Sequence, residues 1–159
     1  MAGARNLHNT VAGNAFAYLH GRLRGRSCRP YNSDTKVRIR LPTEVRFYYP
    51  DASIVCRQNA PTDSFQDEPV VIVEVLSRKT RRVDEGEKKD AYLMVPTLAV
   101  YLLAEQETAL VVAHRRTDRG FVREAYAGLD AVISLPEVSI DLPLAEIHDG
   151  VELVPEDEE

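Results

Sequence analysis

Residues 69–92 read PVVIVEVLSRKTRRVDEGEKKDAY, and this stretch predicts the centre of the fold. Its first part, residues 70–76, is an almost unbroken run of β-branched and apolar side chains. Such a run is typical of a strand that is covered on both faces of a sheet. Glu74 interrupts it, and a buried carboxylate is costly unless a cation compensates its charge. The sequence therefore marks Glu74 as a candidate functional residue.

Two other residues are candidates to compensate Glu74. Asp51 lies in the preceding segment YYPDASIVC, and Lys88 lies in the polar segment that follows the strand. Carboxylate oxygens are the ligands that Mg²⁺ prefers, and a nearby lysine can stabilise developing negative charge. The three residues together predict a centre that hydrolyses phosphodiesters with a divalent metal. Three alternatives stay open: Asp51 as a turn residue after proline, Glu74 in a structural ion pair, and Lys88 as a solvated charge.

The segments after Glu74 predict a strand–helix–strand unit. A helix is expected from Asp84, as its N-cap, to about Val95, and residues 98–104 read LAVYLLA, a second buried strand. This order favours a right-handed crossover and a parallel pair of strands. Residues 109–115 and 121–126 then predict an antiparallel hairpin.

The flanking segments complete an α/β pattern. Residues 6–24 carry apolar side chains at four-residue spacing and predict an amphipathic helix. Residues 30–34 are turn-forming, residues 35–41 predict a strand with one positive face, and residues 46–56 predict a second strand interrupted by proline. The remaining expectations are Asn6 as the N-cap of the first helix, one short strand within residues 131–142, and a helical turn over residues 144–148.

Composition predicts one domain over residues 1–150 with an acidic tail over residues 151–159. No apolar run approaches the roughly 20 residues that a membrane span needs, and the first residues lack the apolar block of a secretory signal. Cys28 and Cys56 are too few for a disulfide scaffold, so we expect two reduced thiols in a cytoplasmic protein.

The net charge of −5 is unevenly distributed. Residues 1–49 hold nine Lys or Arg and two Asp or Glu, whereas residues 50–159 hold eleven and twenty-three. Sixteen of the twenty basic residues are arginine, the side chain best suited to bidentate phosphate contacts. The acidic total argues against a protein that coats nucleic acid, but a local basic face is compatible with an enzyme acting on it.

Three of the segments described above, taken in order, resemble one known family, and the third of them is LAVYLL at residues 98–103. YYPDASIVC followed by VIVEVLSRKTRRVDEGEKKDAY is similar to the Uma2 family of bacterial endonuclease-like proteins, also called the domain of unknown function 820 group. The resemblance extends, more weakly, to the start of the first helix, to the segment around Ser33 and to the closing LPLAEIHDG. It implies a PD-(D/E)xK nuclease with the restriction-endonuclease fold, a mixed central β-sheet flanked by helices.

The resemblance also implies site residues. Asp51 would be the acid of the PD element and Glu74 the second acid, both ligands of Mg²⁺ or of Mn²⁺ as its substitute. The usual lysine, two residues after the second acid, is replaced here by Leu76. The family pattern instead supplies Lys88 from the helix, with Lys89 as the alternative. Supporting or substrate-binding roles fall to Ser77, Arg78, Arg81, Asp84 and Tyr92.

Two functions of different classes follow. The first is a Mg²⁺-dependent DNA endonuclease that contacts the phosphate backbone through the basic loop of residues 77–82, with Arg38 and Arg40 as a further candidate face. Nucleases of this kind often act as homodimers, because two strands must be cut. The second is an inactive nuclease-like fold that binds nucleic acid or protein. This hypothesis is motivated by Leu76, which stands where the strand usually carries a lysine. His8 and Asn14, on the first helix, are expected to be solvated or capping residues, with contacts to the site as the alternative.

Overall fold

The structure, a computed structural model, describes residues 5–154. The helices are α1 (Asn6–Leu23), α2 (Arg81–Glu85), α3 (Glu87–Leu93) and α4 (Leu144–Ile147). In chain order the strands are β1 (Arg29–Asn32), β2 (Lys36–Arg40), β3 (Val45–Tyr48), β4 (Ala52–Val55), β5 (Phe65–Gln66), β6 (Pro69–Val75), β7 (Val100–Ala104), β8 (Leu110–Thr117), β9 (Gly120–Ala127), β10 (Val132–Leu135) and β11 (Ile140–Pro143).

The apolar strand β6 lies inside a six-stranded sheet of order β1-β4-β6-β7-β8-β9. β6 and β7 pair in parallel, with Glu74 opposite Leu103, while β4 and β8 run antiparallel to their neighbours. The mixed sheet flanked by helices, the parallel pair and the β8–β9 hairpin confirm the predicted fold class. A strand in this position has neighbours on both edges and both faces, which explains its apolar sequence.

Alternate residues of β6 enter two separate apolar clusters. Val71, Val73 and Val75 face α1, which buries a side chain every fourth residue along its length. Ile72 and the following Leu76 face a second cluster that includes side chains of β2 and α3. Because Glu74 shares the face of Ile72 and Leu76, its carboxylate points toward α3 and away from α1.

Above this second face lies a smaller sheet of order β3-β2-β5. Val37 and Ile39 of β2 point into the second cluster, and Lys36, Arg38 and Arg40 lie on the opposite side, as the alternation predicts. The predicted strand over residues 46–56 is wrong as a single element, because β3 and β4 belong to different sheets. Pro50, between them, is where the chain crosses from one sheet to the other.

Three other local predictions are wrong in whole or in part. The composition predicts a turn over residues 30–34, and residues 33–34 do form one, but residues 30–32 belong to β1, an edge strand that pairs antiparallel with β4 and buries Pro30. Pairing with β4 overrides the turn-forming composition. Residues 131–142 form two paired strands, β10 and β11, and not one. Asn6 is the first helical residue of α1, and the cap position falls on Arg5.

The helix expected from Asp84 to Val95 is divided at Gly86 into α2 and α3. Asp84 is therefore not an N-cap: it lies inside α2 and is only 2% exposed. Gly86 has φ −115° and ψ −105°, and a Cβ added there would lie 2.8 Å from the backbone oxygen of Arg82. This close approach requires glycine and turns α3 so that Lys88 points back toward the sheet.

Gly86→Ala should therefore destabilise the fold, by about 1–3 kcal/mol, because the added methyl group meets backbone that cannot yield easily. Gly13→Ala is the matched control, since Gly13 lies in α1 with nothing within 4 Å of an added Cβ. Gly13→Ala should raise the free energy of unfolding by about 0.5–1 kcal/mol, because alanine is favoured over glycine inside a helix. Urea unfolding of both variants measures the difference, and equal effects would contradict this role of Gly86.

Cys28 and Cys56 form a disulfide, so the expected pair of reduced thiols is wrong. Arg29 is opposite Val55 in the β1–β4 pairing, and continuing this register by one residue sets the two cysteines opposite each other. The sequence spacing of 28 residues gave no sign of this contact, because it depends on β1 being a strand.

The last described residues lie against the core. The helical turn predicted over residues 144–148 is confirmed by α4, and Val151 and Leu153 pack against the first cluster. The acidic residues 155–159 of the predicted tail lie outside the described residues. Within residues 5–154, no helix is both long enough and apolar enough to cross a membrane.

Candidate active site

The β4–β6 pairing brings the two predicted acids together. Ala52 is opposite Val73, so extending the register by one residue sets Asp51 opposite Glu74 on the same face of the sheet. The backbone N–H of Val75 donates a 2.7 Å hydrogen bond to Asp51 Oδ2. The Asp51 carboxylate thus takes the place of a backbone acceptor just beyond the end of the paired strand.

His8, in the first turns of α1, contacts the same acid. Its Nε2 lies 3.3 Å from Asp51 Oδ2, and this interaction raises the pKa of His8 above 6.5 despite partial burial. Of the two interpretations left open for His8, the geometry favours contact with the site. Asn14 lies elsewhere and donates to the backbone oxygens of Ile147 and Asp149. No local sequence pattern separates these two polar residues of α1, because the distinction depends on how the helix packs.

Lys88 approaches Glu74 from the opposite side. Its Nζ lies 3.2 Å from Glu74 Oε1 and 3.2 Å from Asp84 Oδ1. Burial lowers the pKa of Lys88, but the charges of Glu74 and Asp84 outweigh it and raise the pKa above 10.5. Lys89, the alternative lysine, pairs only with Asp90 at 3.9 Å. Lys88 is therefore the lysine that the fold brings to Glu74.

The centre has one more acid than it has cations. Asp51, Glu74 and Asp84 converge on it, against Lys88 and His8, which carries a positive charge only when its ring is protonated. Burial raises the pKa of Glu74 well above 4.5, and the charges of the two aspartates raise it further, while Lys88 opposes the change. An added proton or an added cation at Glu74 would restore the balance.

Three buried side-chain oxygens lack a hydrogen-bond partner among the described residues: Ser53 Oγ, Glu74 Oε1 and Tyr92 Oη. Glu74 Oε1 is within ion-pair distance of Lys88 but without hydrogen-bond geometry. Ser53 is opposite Ile72, and so lies on the same face of the sheet as Glu74. Buried oxygens normally have partners, so these mark a polar region suited to a hard cation or to water.

The donor set fits a divalent ion only in part. Asp51 and Glu74 offer carboxylate oxygens, but no group of three or more His, Cys, Asp or Glu side chains in residues 5–154 could hold an ion alone. Mg²⁺ commonly keeps several waters and takes only one or two protein carboxylates. Two acids on one face are therefore compatible with Mg²⁺ and less suited to a fully protein-coordinated metal.

Tyr92 forms the floor of the centre. It is fully buried, and its ring lies 5.5 Å from the ring centroids of both Tyr48 and Tyr101. Tyr101 Oη donates to the backbone oxygen of Asp84, which fixes α2 against the sheet. The aromatic rings exclude water beneath Glu74 and keep its surroundings weakly polar.

The remaining predicted residues lie outside this cluster. Ser77 lies in the segment between β6 and α2, where its Oγ accepts from the backbone N–H of Thr80. Arg81 binds Glu105 through two hydrogen bonds of 2.8 and 2.6 Å, so its guanidinium is already occupied. Arg78 is exposed in the turn between β6 and α2. Ser77 and Arg81 thus have structural partners, and Arg78 is exposed.

Comparison with known proteins gives a family and a fold. The family model Uma2, described as "Putative restriction endonuclease", matches residues 1–145. The uncharacterized protein slr1290 of Synechocystis is 29% identical over 121 residues, and the match covers 76% of this chain and 63% of that protein. Another uncharacterized Synechocystis protein, sll1609, is 27% identical over 144 residues, covering 88% and 80% of the two chains. This chain therefore spans less than two thirds of slr1290.

A solved structure has the same fold. It is described as a "putative nuclease belonging to DUF820" from Anabaena variabilis, with a TM-score of 0.72 and 13% sequence identity. The superposition covers 91% of this chain and 81% of the other. At this identity the likeness establishes the fold alone. The family match confirms the resemblance drawn from the sequence motifs.

Proposed function

Because this chain belongs to the Uma2 family, we propose that it is a metal-dependent endonuclease that hydrolyses phosphodiester bonds in DNA. The observation that supports this most is the register that sets Asp51 opposite Glu74, with Lys88 Nζ 3.2 Å from Glu74. Two neighbouring acids can hold a divalent ion, and a lysine beside them can stabilise developing negative charge.

Asp51 and Glu74 would hold the metal, which we propose to be Mg²⁺, with Mn²⁺ as a substitute. Such an ion supplies positive charge against the phosphoryl oxygens of the substrate. The unpartnered Glu74 Oε1 and the excess of acids support this assignment. Cation binding at Glu74 should release a proton, because burial raises the pKa of this carboxyl group.

The other residues of the cluster have distinct roles in this proposal. Lys88 keeps its proton at Nζ and donates to a phosphoryl oxygen or to the attacking water. His8 and the backbone N–H of Val75 hold the Asp51 carboxylate in a fixed orientation. Asp84, which is buried in α2, keeps Lys88 in place through its contact with Nζ. His8 and Asp84 are positioning residues, since they act through Asp51 and Lys88.

The test is cleavage of supercoiled plasmid and of circular single-stranded DNA by the purified chain with Mg²⁺ or Mn²⁺. Asp51→Asn and Glu74→Gln should each lower the rate at least 10²-fold, because each loses a charged oxygen ligand. Glu146→Gln changes an exposed acid of α4 and should leave the rate unchanged. Equal cleavage by the wild type and Glu74→Gln would reject this centre as the source of activity.

One observation favours a second function, a binding module without turnover. Both acids already have a cationic neighbour, His8 for Asp51 and Lys88 for Glu74, and β6 carries no lysine of its own. A filled ion-pair network needs no metal. Calorimetric titration with Mn²⁺ separates the two functions, since heat that Glu74→Gln abolishes supports the nuclease, and no heat supports the module.

We propose the cytoplasm as the location, because a nuclease needs access to DNA, and a homodimer as the assembly, the state in which nucleases of this kind often act. Disulfides are rare in the reducing cytoplasm, so the Cys28–Cys56 pair is the structural observation that opposes this location. Alkylation of the thiols at cell lysis, followed by mass spectrometry, tests the location: modified cysteines support it and an intact disulfide rejects it. Light scattering at several protein concentrations tests the assembly.

A further inference from the structure

The outer face of the smaller sheet combines cations with exposed rings. We call this surface the basic–aromatic face. Its members are Lys36, Arg38 and Arg40 of β2, Val45 and Phe47 of β3, Tyr49 just after β3, and Phe65 of β5. The proposed endonuclease function does not use this face, and the catalytic cluster lies beneath its opposite side.

Strand register arranges these residues in rows. Arg38 is opposite Phe47, Arg40 is opposite Val45, and Lys36 is opposite Phe65. The Lys36 ammonium lies 5.1 Å from the ring centroid of Phe47, and the Arg38 guanidinium lies 4.1 Å from that of Phe65. Cations and rings therefore alternate across the sheet at contact distance.

The rings on β3 are unusually accessible for their size. Phe47 is 48% exposed and Tyr49 is 50% exposed, while the intervening Tyr48 turns inward and contacts Tyr92. Large apolar side chains exposed together mark a binding surface more often than isolated ones do. Their cationic neighbours make an anionic partner with flat apolar groups the best match.

The cations on this face differ in availability. Arg38 forms a bidentate pair with Asp67, with both hydrogen bonds at 2.7 Å, so its charge is compensated. Neither Lys36 nor Arg40 has an acidic partner within 4.0 Å among residues 5–154. Arg38 thus holds Phe65 in place, and Lys36 and Arg40 are free to meet phosphates.

We propose that the basic–aromatic face binds single-stranded nucleic acid, with bases stacked on Phe47 and Tyr49 and phosphates against Lys36 and Arg40. Stacking requires an exposed base face, which paired bases inside a duplex do not offer. Residues two apart on a strand are separated by about 6.8 Å, twice the 3.4 Å rise per nucleotide of a stacked strand. That spacing admits one base between successive rings.

The face leads to the catalytic cluster, and in this respect the inference rests on the proposed function. Asp51 follows Tyr49 by two residues, so their Cα atoms can be at most about 7 Å apart, and this end of the face adjoins the acids. The substrate class that we infer is therefore unpaired nucleic acid, or a locally opened duplex, rather than intact duplex.

Fluorescence anisotropy of a labelled 12-nucleotide oligothymidine, compared with a 12-base-pair duplex, tests this inference. The measurement uses the Glu74→Gln variant in EDTA, so its outcome does not depend on metal or cleavage. We expect tighter binding of the single strand. Phe47→Ala and Tyr49→Ala should each weaken it about ten-fold or more, the usual effect of losing one stacking ring.

Conservative and matched variants complete the test. Phe47→Tyr and Tyr49→Phe keep a ring and should bind normally, and Leu129→Ala removes a similarly exposed apolar side chain elsewhere without effect. Lys36→Ala with Arg40→Ala should reduce the slope of log affinity against log salt by about 1.4, whereas Arg123→Ala on β9 should not reduce single-strand affinity.

Three outcomes would overturn the inference: preference for the duplex, full binding after both rings are removed, or equal displacement of the oligonucleotide by polyglutamate. The last would mean general attraction of anions rather than stacking. Failure to cleave both supercoiled plasmid and circular single-stranded DNA, with normal single-strand binding, would reject the endonuclease and leave this face as a binding surface.

Discussion

Replacing Glu74 with glutamine is expected to make the protein more stable while it abolishes metal-dependent cleavage. Wild type brings three acids to two cations, and burial of the Glu74 charge costs free energy that this imbalance does not recover. Glutamine keeps the shape and leaves Asp51 with His8 and Asp84 with Lys88. The free energy of unfolding at pH 7 should rise by about 1–3 kcal/mol.

The direction of the Glu74 pKa shift determines how this stability difference should change with pH. Burial raises the pKa of Glu74 above its ordinary 4.5, so the folded protein holds the proton more tightly than the unfolded chain does. The contribution of Glu74 to stability is therefore complete below about pH 4.5 and is lost as the pH rises through the folded-state value.

Urea unfolding of wild type and Glu74→Gln from pH 4 to pH 8, in EDTA, measures this difference. The two stability curves should converge at low pH and separate as the pH rises. Mn²⁺ should stabilise the wild type alone, because ligand binding to the folded state adds to its stability. A glutamine variant that is less stable than wild type at pH 7 would contradict the assigned charge imbalance.

The second large effect is expected from Lys88→Met, which should destabilise by about 3–5 kcal/mol at pH 7. Lys88 is the cation shared by Glu74 and Asp84, which are 3% and 2% exposed, so its loss leaves two buried acids facing each other. This destabilisation should become smaller as the pH falls and Glu74 takes up a proton, because burial raises the pKa of Glu74. Cleavage should be lost over the whole pH range.

Lys89→Met is the matched control, because it removes the same group one residue away, where the nearest acid is 3.9 Å from Nζ. Its effect on stability should be below about 0.5 kcal/mol. The double variant Lys88→Met with Glu74→Gln should lose less free energy of unfolding than Lys88→Met alone. Only one of the two buried acids then remains without a cationic partner. A similar cost for Lys88→Met and Lys89→Met would assign Lys88 to solvent.

The parts of the fold that local pattern determines were predictable from the sequence. The apolar runs of β6 and β7 and the four-residue spacing in α1 follow from burial, and each is confirmed. β1 was missed because its residues are turn-forming and become a strand only by pairing with β4. The disulfide depends on the same pairing, so it was missed for the same reason.

The candidate site divides in a similar way. Glu74 was identifiable because a charge inside an apolar run needs an explanation. Asp51 and Lys88 were nominated as its partners by position and by the family resemblance, and their contacts with it depend on the β4–β6 pairing and on the packing of α3. The contact of His8 with Asp51 could not be assigned, because it depends on where α1 crosses the sheet. The break at Gly86 was missed because glycine within a polar helical pattern does not by itself end a helix.

The hydrogen bond from the Val75 N–H to Asp51 bears on how relatives of this chain can be compared. An acid that completes a strand remains useful to folding even after catalysis has been lost in evolution. Asp51 would then persist in descendants that no longer cut anything, whereas Glu74, which costs stability, would be free to change. Among relatives, a glutamate at the position of Glu74 is therefore a better marker of an active enzyme than an aspartate at the position of Asp51.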